Sequence, residues 1–362
     1  MLFDDKMKIL LFTDALGAGG AQRQLVGLAV LLKNAGHKVK LATYHQGVFY
    51  SDVLSKNEIE HIVVTETNNK LKRIVDIAQF CKNEKPNVLI AYQASPSIIA
   101  CIAKIMGGKF KLIVSERNTN QRFSVNDRLR FFLYRWADHV VPNSYSQAEF
   151  IAKHAKWLKE DVSVIVNFVD TERFVPVITR KSISTFNILS IGRMTPQKNV
   201  KAYIEAVSTL VKEDLPLHID WYGYADRGGG YYSECLSMVK DYGLEPYFVF
   251  HQPVDDVVKL YQEADVFCLP SIYEGTPNVV CEAMSCGLPI LCSDVCDNSR
   301  YVKDNGILFD PKSVNSIATA IRNFYKKTES EKKEMGVKSR SLAVEQFSQE
   351  FFLKQYLSLI HG

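Results

Sequence analysis

Residues 8–44 read KILLFTDALGAGGAQRQLVGLAVLLKNAGHKVKLATY, and this stretch decides the fold. Residues 8–13 form an almost wholly apolar run, which predicts a strand buried on both faces and therefore a parallel sheet. Glycines open the next segment, apolar residues then recur at helical spacing, and Gly36 is placed to end a helix. Residues 37–44 predict a second strand. This order of strand, glycine-containing turn, helix and strand is typical of the start of a doubly wound sheet.

The alternation of strands and helices continues in two successive series. In the first series, apolar runs predict strands at 62–64, 88–92, 111–115 and 139–142, with helical patterns at 70–84, 96–106, 124–137 and 145–155. The second series starts with a strand at 186–192 that again runs into glycine. It continues with helix 198–212, strand 217–222, helix 231–242, strand 247–250, helix 255–263, strand 265–269, helix 278–286 and strand 288–292.

Two series of this kind predict two domains, and the length of 362 residues is about twice that of a usual domain. Residues 164–177 contain Pro176 and few helix signals, so we place the boundary there. We expect an α/β protein with two Rossmann-like, doubly wound parallel sheets, at 1–174 and 175–345, that face a central cleft. Residues 346–362 predict an amphipathic helix that packs back toward the first domain.

Composition and charge exclude several classes of protein. Apolar residues make up 47% and charged residues 23%, as in ordinary globular proteins, and a net charge of +4 does not indicate nucleic acid as a partner. No apolar run approaches the roughly 20 residues of a membrane-spanning helix, and the first residues do not resemble a secretory signal. The eight cysteines show no C-x-x-C spacing, which indicates buried thiols such as Cys268, Cys281 and Cys292 in a reduced, cytoplasmic compartment.

Glycines 17, 19 and 20 follow the first strand and open the first helix. Gly19 and Gly20 permit close approach of a ligand to the backbone, and a helix N-terminus favours an anion. The spacing is not G-x-G-x-x-G, and Tyr44 and His45 stand where a dinucleotide-binding protein has an acidic residue. The loop is therefore interpreted as an anion site or as a tight turn only.

A second glycine loop, GRMTPQKNV at 192–200, follows the first strand of the second series. It places Arg193 and Lys198 just before a helix, an arrangement well suited to a diphosphate. The alternative is two solvated surface cations.

The stretch YEGTPNVVCEAMSCGLPI at 273–290 carries the most chemistry. Glu274 is predicted to lie ahead of a helix N-terminus and Glu282 about one turn into that helix. A carboxylate accepts two hydrogen bonds and suits the paired hydroxyls of a ribose or a hexose. The alternative is that Glu274 only complements the helix dipole and that Glu282 is an exposed helix acid. Backbone N–H groups that could hold phosphate or sugar oxygens belong to Gly275, Thr276, Asn278 and Val279.

Taken together, these motifs resemble the retaining glycosyltransferases of the GT-B fold, in family 4. The similarity covers nearly the whole chain, and residues 274 and 282 match the E-x7-E signature of that family. The matching segments are GAGGAQR at 17–23, VIVNFVDTERFVP at 164–176, LSIGRMTPQKN at 189–199, ADVFCLPSIYEGTPNVVCEAMSCGLPI at 264–290 and GILFDP at 306–311.

The resemblance implies transfer of a hexose or N-acetylhexosamine from a nucleotide-diphosphate sugar, with UDP as the nucleotide, to a hydroxyl of a glycan. The acceptor expected is a polyprenyl-diphosphate-linked glycan of bacterial polysaccharide or lipopolysaccharide biosynthesis. Relatives need neither metal nor cofactor, and we find no D-x-D flanked by apolar residues.

The resemblance also implies roles for individual residues in binding the donor. Arg193 and Lys198 hold the diphosphate, while Glu282 binds the ribose. Glu274 contacts the transferred sugar and stabilises an oxocarbenium-like transition state. Glycines 19 and 20 line the diphosphate from the first domain. The segment FHQPVDD at 250–256 matches the part of the family that holds the base, chiefly through the backbone at Gln252 and Val254.

Residues 114–120, VSERNTN, depart from the family pattern because Arg117 stands where many relatives have a histidine. Arginine is no general base at neutral pH, so it is expected to bind a phosphate of the donor or of the acceptor. With Asn118 and Gln93 it forms the predicted acceptor site. Retention then proceeds by front-face departure or by covalent participation of Glu274, and the sequence leaves both open.

Residues 1–170 contain 23 Lys and Arg against 16 Asp and Glu, whereas residues 171–362 contain 21 against 24. In residues 110–136 the arginines alternate with aromatic residues, which suits an anionic membrane surface or a lipid-diphosphate headgroup. The alternative is an ordinary helix with a buried aromatic face. We expect a cytoplasmic enzyme, peripheral on the inner face of the membrane. The residues concerned are Arg117, Arg122, Arg128, Arg130, Arg135, Phe123, Phe131, Phe132, Tyr134 and Trp136.

Two further hypotheses are compatible with the same fold. One is a nucleotide-sugar epimerase or a phosphorylase, the latter with pyridoxal phosphate on a lysine. The other is a non-catalytic protein that binds a nucleotide sugar.

Overall fold

The computed structural model describes residues 6–158, 160–177, 185–225 and 228–362. The chain divides into two compact units. The first comprises the described residues up to Asn167 together with Gln349–Gly362, and the second is Phe168–Ser348. The division thus lies after Asn167 rather than after the predicted residue 174. Phe168 and Phe174 are buried, and the ring of Phe174 packs against Tyr261 of the second unit, with centroids 6.0 Å apart.

The first unit contains a six-stranded parallel sheet with the order β3-β2-β1-β4-β5-β6, as the alternating pattern predicts. Central strands are buried on both faces, because helices cover each side of a doubly wound sheet. The strands are β1 (Lys8–Phe12), β2 (Lys38–Thr43), β3 (Glu60–Val63), β4 (Val88–Tyr92), β5 (Lys111–Glu116) and β6 (His139–Pro142).

Among the described residues up to Asn167, six helices follow the six strands in turn. The short α2 was not predicted; the others lie within a few residues of the predicted ranges. Short 3-10 turns follow α5 and α6, at Tyr134–Trp136 and Lys156–Leu158. The helices are α1 (Gly20–Asn34), α2 (Ser51–Lys56), α3 (Lys70–Glu84), α4 (Ala94–Ile105), α5 (Val125–Leu133) and α6 (Tyr145–His154).

The second unit repeats this plan, with the strand order β12-β11-β10-β7-β8-β9 and parallel pairing throughout. Cys268, Cys281 and Cys292 are buried, as predicted. The strands are β7 (Phe186–Ile191), β8 (Leu217–Tyr222), β9 (Phe248–His251), β10 (Val266–Leu269), β11 (Ile290–Ser293) and β12 (Gly306–Phe309).

The described part of the second unit contains seven helices, and α11 to α13 lie in a region for which no element was predicted. The helix α13 packs on α10, and its Gly336 approaches the backbone there: a Cβ at this position would lie 2.4 Å from the Gly287 carbonyl oxygen. The helices are α7 (Val200–Val211), α8 (Gly230–Asp241), α9 (Val258–Glu263), α10 (Asn278–Ser285), α11 (Asn298–Tyr301), α12 (Val314–Tyr325) and α13 (Glu329–Phe347).

The last helix, α14 (Gln349–His361), belongs to the first unit. Its Tyr356 is fully buried, and the hydroxyl groups of Tyr356 and Tyr92 are hydrogen-bonded at 2.9 Å. The ammonium of Lys111 donates to the carbonyl oxygen of Leu359 at 2.9 Å. The C-terminal residues are therefore an integral part of the first unit.

Three histidines of the first unit predict how its stability depends on pH. The pKa values of His37, His61 and His139 lie below the usual 6.5, chiefly because burial disfavours the charged imidazole. The unfolded chain therefore binds more protons, so the contribution of these groups is full above pH 6.5 and is lost progressively as the pH falls below 6.5 toward the lower pKa values of the folded state. Between pH 7.5 and 5.5, hydrogen exchange corrected for intrinsic rates should show protection falling more in β1 and β4 than in β7 and β10. An equal fall in both units would contradict this.

Candidate active site

The strand order reverses beside the first strand of each sheet, between β1 and β4 and between β7 and β10. Ligands of open α/β sheets bind at such switch points, beyond the carboxyl ends of the strands. The loop at 192–199 follows β7 and the loop at 270–277 follows β10, so both lie at the switch point of the second unit. The sequence motifs with the greatest chemical content therefore meet at one edge of one sheet.

Gly192 and Gly223 allow the loops after β7 and β8 to pass in close contact. A Cβ on Gly223 would lie 1.9 Å from the carbonyl oxygen of Gly192, which leaves no room for a side chain. The same oxygen accepts a hydrogen bond from Nε1 of Trp221 at 2.9 Å. The side chain of Lys198 crosses Gly192, with its Cε 3.2 Å from the position that a Cβ would take. The absence of a side chain at Gly192 therefore lets the Lys198 side chain pass close to the backbone.

Lys198 ends a 3-10 turn, Pro196–Lys198, and the next residue, Asn199, has a left-handed backbone with φ of 58°. The amide of Asn199 donates to the carbonyl oxygen of Pro311 at 2.7 Å. Gln197 joins the two loops, since its Nε2 donates to the carbonyl oxygen of Tyr273 at 2.9 Å and its own carbonyl accepts from the amide of Ile272 at 2.8 Å. The Lys198 backbone is thereby fixed relative to the loop that carries Glu274.

The centre of the site is an ion pair between Nζ of Lys198 and Oε1 of Glu274, at 2.6 Å. The side chains are only 15% and 9% exposed, so the pair is largely removed from water. Burying two charges costs more than a surface pair returns, and such a pair is weak support for stability alone. The arrangement instead presents an ammonium and a carboxylate, held rigidly, at the ligand-binding edge of the sheet.

Glu282 lies on α10, about one turn from its start, as predicted. Its side chain is buried, so the alternative of an exposed helix acid is wrong. The hydroxyl of Tyr261 donates to Oε2 of Glu282 at 2.8 Å, and Tyr261 is itself fully buried. Sequence reasoning did not identify Tyr261, because it lies on α9 and approaches Glu282 only through the tertiary fold.

The remaining residues predicted to bind the donor lie after the carboxyl ends of strands of the same sheet. Thr276 is buried, whereas Gly275, Asn278 and Val279 are half-buried at the start of α10. Arg193 is exposed, and within the described parts of the chain its guanidinium has no hydrogen bond or ion pair. Gln252 and Val254 are exposed in the loop after β9, at the outer strand of the sheet. The structure thus places all of them on one unit, and it brings Lys198 and Glu274 into direct contact.

The glycine loop of the first unit lies at the switch point beside β1. Gly19 precedes the first turn of α1, which Gly20 begins, and the amide of Gly19 donates to the carbonyl oxygen of Gly17 at 2.8 Å. Gly17 has open space where a Cβ would be. The hydroxyl of Tyr50 lies 3.5 Å from the Gly19 carbonyl oxygen.

Gln93 and Arg117 follow adjacent strands, β4 and β5, and the amide of Gln93 donates to the carbonyl oxygen of Ser115 at 2.9 Å. Gln93 has φ of 76° and ψ of 165°, a conformation that is costly for any residue except glycine. The guanidinium of Arg117 lies over the ring of Tyr92 at 4.7 Å. Strained backbone of this kind concentrates at functional sites, so Gln93 supports the prediction of a binding site here.

The Arg117 side chain is buried and is held by neutral groups alone. Its Nη1 lies 3.3 Å from the hydroxyl of Ser115, its Nη2 donates to the Asn167 side chain, and its Nε has no partner. Within the described residues, the Arg117 guanidinium forms no ion pair with a carboxylate, and the nearby carboxylates of Glu116 and Asp127 pair with Arg130 instead. A buried guanidinium without a counter-ion favours an anionic ligand. The predicted neighbour Asn118 is exposed.

Glu116 was not predicted, although it adjoins Arg117. It is buried, accepts a hydrogen bond from the hydroxyl of Tyr134, and forms an ion pair with Nε of Arg130 at 3.3 Å. Burial raises the pKa of Glu116, and the guanidinium of Arg130 opposes that shift. Glu116 is the last residue of β5, so these contacts hold the end of the strand from which Arg117 follows.

Two family models match the chain. The model described as "Glycosyltransferase Family 4" matches residues 18–173, and the model described as "Glycosyl transferases group 1" matches residues 177–341. Together they span both units and every predicted site residue.

Two curated relatives match this chain over most of their own length. The chain is 27% identical over 326 residues to the amylovoran biosynthesis glycosyltransferase AmsD of Erwinia amylovora, with 87% of this chain and 89% of that protein covered. It is 24% identical over 335 residues to a UDP-Gal:alpha-D-GlcNAc-diphosphoundecaprenol alpha-1,3-galactosyltransferase of Escherichia coli, with 83% of this chain and 84% of that protein covered. The solved structure of HepE from Anabaena in complex with UDP has a TM-score of 0.86 at 20% identity, covering 98% and 100% of the two chains.

The contact between Gly192 and Gly223 predicts a large effect of one methyl group. The Gly223→Ala variant should lose at least about 2 kcal/mol of unfolding free energy, because a Cβ overlaps backbone that cannot move without displacing the loop at 192–199. Urea denaturation measures this. Gly230→Ala is the matched control, since it lies at the start of α8 with open space at its Cβ and should not be destabilised. Equal stability of the two variants would contradict the packing described.

Proposed function

The chain belongs to glycosyltransferase family 4 and is a GT-B glycosyltransferase of bacterial polysaccharide and lipid-linked glycan biosynthesis, and we propose that it transfers a hexose or N-acetylhexosamine from a UDP-sugar to a lipid-linked glycan with retention. The buried ion pair of Lys198 and Glu274 at the switch point carries this proposal, because it sets a phosphate-binding cation beside a carboxylate that suits sugar hydroxyls.

The residues of the second unit divide the work on the donor. Lys198 and Arg193 bind the diphosphate and neutralise the charge that develops on the departing UDP. Glu282, oriented by Tyr261, accepts hydrogen bonds from the ribose hydroxyls. UDP as the nucleotide is supported by the complexes of HepE with UDP and with UDP-glucose, and by the UDP-Gal in the name of the E. coli relative.

The reaction breaks the bond between the anomeric carbon and the phosphate oxygen and forms one between that carbon and the acceptor oxygen. We propose front-face departure, in which the leaving phosphate oxygen takes the proton of the acceptor hydroxyl. Glu274 already forms an ion pair with Lys198, which makes its carboxylate a weak nucleophile and a better electrostatic stabiliser of the oxocarbenium-like transition state. Retention is supported by relatives that are named as alpha-transferases.

The first unit supplies the acceptor site in this proposal. Among the described residues, the buried guanidinium of Arg117 has no acidic partner, which suits a phosphate of the acceptor, and Gln93 is placed beside it at the end of β4. Relatives are named for acceptors that carry diphospho-undecaprenol. We therefore propose that Arg117 binds the diphosphate of a polyprenyl-linked glycan.

Transfer is proposed to need neither a metal nor a cofactor, because Arg193 and Lys198 supply positive charge for the diphosphate. Within the described residues, no helix has the length and apolar character to span a membrane.

Removing either member of the central ion pair should abolish transfer. Lys198→Met and Glu274→Gln are each expected to lower kcat/KM by about 100-fold or more, because charge stabilisation in the transition state is lost. Each single variant also leaves a buried charge unpaired, so the double variant, which leaves none, tests activity without that cost in stability. Transfer is measured with the UDP-sugar that stabilises the protein most in a thermal-shift screen, and it should persist in EDTA.

The matched control is Lys201→Met, three residues further on, which removes an exposed ion pair with Glu234 and should retain activity. Full activity of the double variant would overturn the mechanism. Release of free sugar or of an epimer without acceptor would indicate an epimerase, and a visible absorbance from pyridoxal phosphate a phosphorylase. UDP binding without transfer to any acceptor would indicate a non-catalytic protein.

Arg117 should affect the acceptor and not the donor. Arg117→Gln is expected to raise the KM for a polyprenyl-diphosphate-linked acceptor by about 10-fold or more, since a charge-assisted hydrogen bond is lost, and Arg117→Lys should restore part of it. The KM for the UDP-sugar should change less than twofold. With an acceptor whose diphosphate is replaced by an alkyl chain, Arg117→Gln and the wild type should be equal. The same loss with both acceptors would contradict the role.

A further inference from the structure

The helix α5 turns an apolar stripe outward. Val125, Leu129, Phe132 and Trp136 recur at helical spacing, and they are 84%, 56%, 45% and 38% exposed. Trp157, on the 3-10 turn after α6, is 45% exposed. We call these five residues the α5 surface. Soluble proteins expose single apolar residues commonly, but a contiguous patch of large ones marks an interaction site.

The opposite face of the same helix accounts for the core packing. Phe131 and Tyr134 are fully buried, and Arg130 is held by Asp127 at 2.8 Å and by Glu116. The helix begins at a capping box in which Ser124 and Asp127 bond each other's backbone amides. The sequence left open a membrane-facing and a buried interpretation of these aromatics; in the structure Phe131 and Tyr134 are buried, whereas Phe132 and Trp136 are exposed.

Aromatic contacts make the α5 surface continuous with the turn that follows α6. Phe132 and Trp136 meet edge to face with centroids 5.7 Å apart. The guanidinium of Arg135 lies over the ring of Phe132 at 5.4 Å and over that of Trp157 at 5.0 Å. Nε1 of Trp157 donates to the carbonyl oxygen of Phe131 at 3.3 Å, which fixes the indole in place.

Positive charge surrounds this patch. Arg128 lies on the same helical face, three residues after Val125 and four before Phe132, and Arg122 precedes the helix. The only acidic residue from 121 to 137 is Asp127, which is buried in its contacts with Ser124 and Arg130. Among the described residues of these segments, two acidic side chains, Glu149 and Glu160, are exposed, against five exposed basic ones: Arg122, Arg128, Arg135, Lys153 and Lys156.

We propose that the α5 surface docks the enzyme on an anionic phospholipid bilayer. Phe132, Trp136 and Trp157 enter the interfacial region, where amphipathic aromatic rings are favoured. The arginines and lysines around them bind lipid phosphates while their aliphatic stems cover apolar surface. The proposal concerns adsorption to a membrane and does not depend on which sugar is transferred, so it can fail while the proposed transferase activity stands.

The α5 surface and Arg117 belong to the same unit, and residues 117–124 connect the end of β5 to the start of α5. A bilayer that contacts α5 therefore lies against an element that a single short segment of the chain connects to the proposed acceptor site. This continuity favours a lipid surface over a second copy of the chain as the occupant.

Co-sedimentation with vesicles tests the proposal on the full-length protein. The wild type should bind vesicles of equal parts phosphatidylglycerol and phosphatidylcholine at low ionic strength, bind phosphatidylcholine alone at least tenfold more weakly, and be released by 0.5 M salt. Leu129→Glu and Arg128→Glu should each lower the partition coefficient at least about fivefold, since each places a negative charge at the surface.

Two variants make the same changes elsewhere. Leu71→Glu alters an exposed leucine on α3 of the same unit, and Lys333→Glu an exposed cation on α13 of the second unit. Both should bind vesicles as the wild type does, and circular dichroism shows whether each variant is folded. Equal binding by Leu129→Glu and Leu71→Glu would overturn the proposal. Concentration-dependent dimers in sedimentation velocity, abolished by Leu129→Glu, with no vesicle binding by the wild type, would overturn it in favour of self-association.

Discussion

The ion pair between Lys198 and Glu274 is the interaction on which the site depends. It joins the loops that follow β7 and β10, the two strands between which the order of the sheet reverses. Neither charge is stable when buried alone, so each loop is constrained to present its residue to the other. Gln197 adds two hydrogen bonds between the same loops, and Gly192 leaves room for the lysine stem. In the proposed function, an incoming diphosphate would therefore meet a cation whose position is already determined.

The two units share one topology but carry different residues at their switch points. At the switch point of the second, the loops carry charge, and Glu282 is buried against Tyr261. At that of the first, a glycine turn lies beside β1, and the strained Gln93 follows β4. The buried guanidinium of Arg117 then follows β5. If the first unit binds the acceptor as proposed, a change of acceptor requires changes only in the loops of the first unit. The charged loops of the second unit can stay the same, since the two sets of loops are separate.

The alternation of strands and helices was enough to predict the first sheet and five strands of the second, because buried parallel strands read as short apolar runs; β12 was not predicted. The helix α13 was not predictable in this way, since it packs through Gly336 at close backbone approach and its apolar residues form no continuous stripe. At the site, spacing identified Lys198, Glu274 and Glu282. It gave no sign that Glu282 is buried or that Glu116 contacts Tyr134 and Arg130, because those partners are distant in sequence and are brought together only by packing.

The placement of α14 has a consequence for biosynthesis. The first unit is discontinuous in the chain, with the whole second unit, Phe168–Ser348, inserted before its final helix. Tyr92 of β4 gains its hydroxyl partner Tyr356 only after the whole second unit has been synthesised. At translation rates of about 5–20 residues per second, the nascent first unit waits on the order of ten seconds or more with the binding surface for α14 uncovered. The emerging chain thus has a built-in interval in which chaperones have access to an otherwise finished sheet.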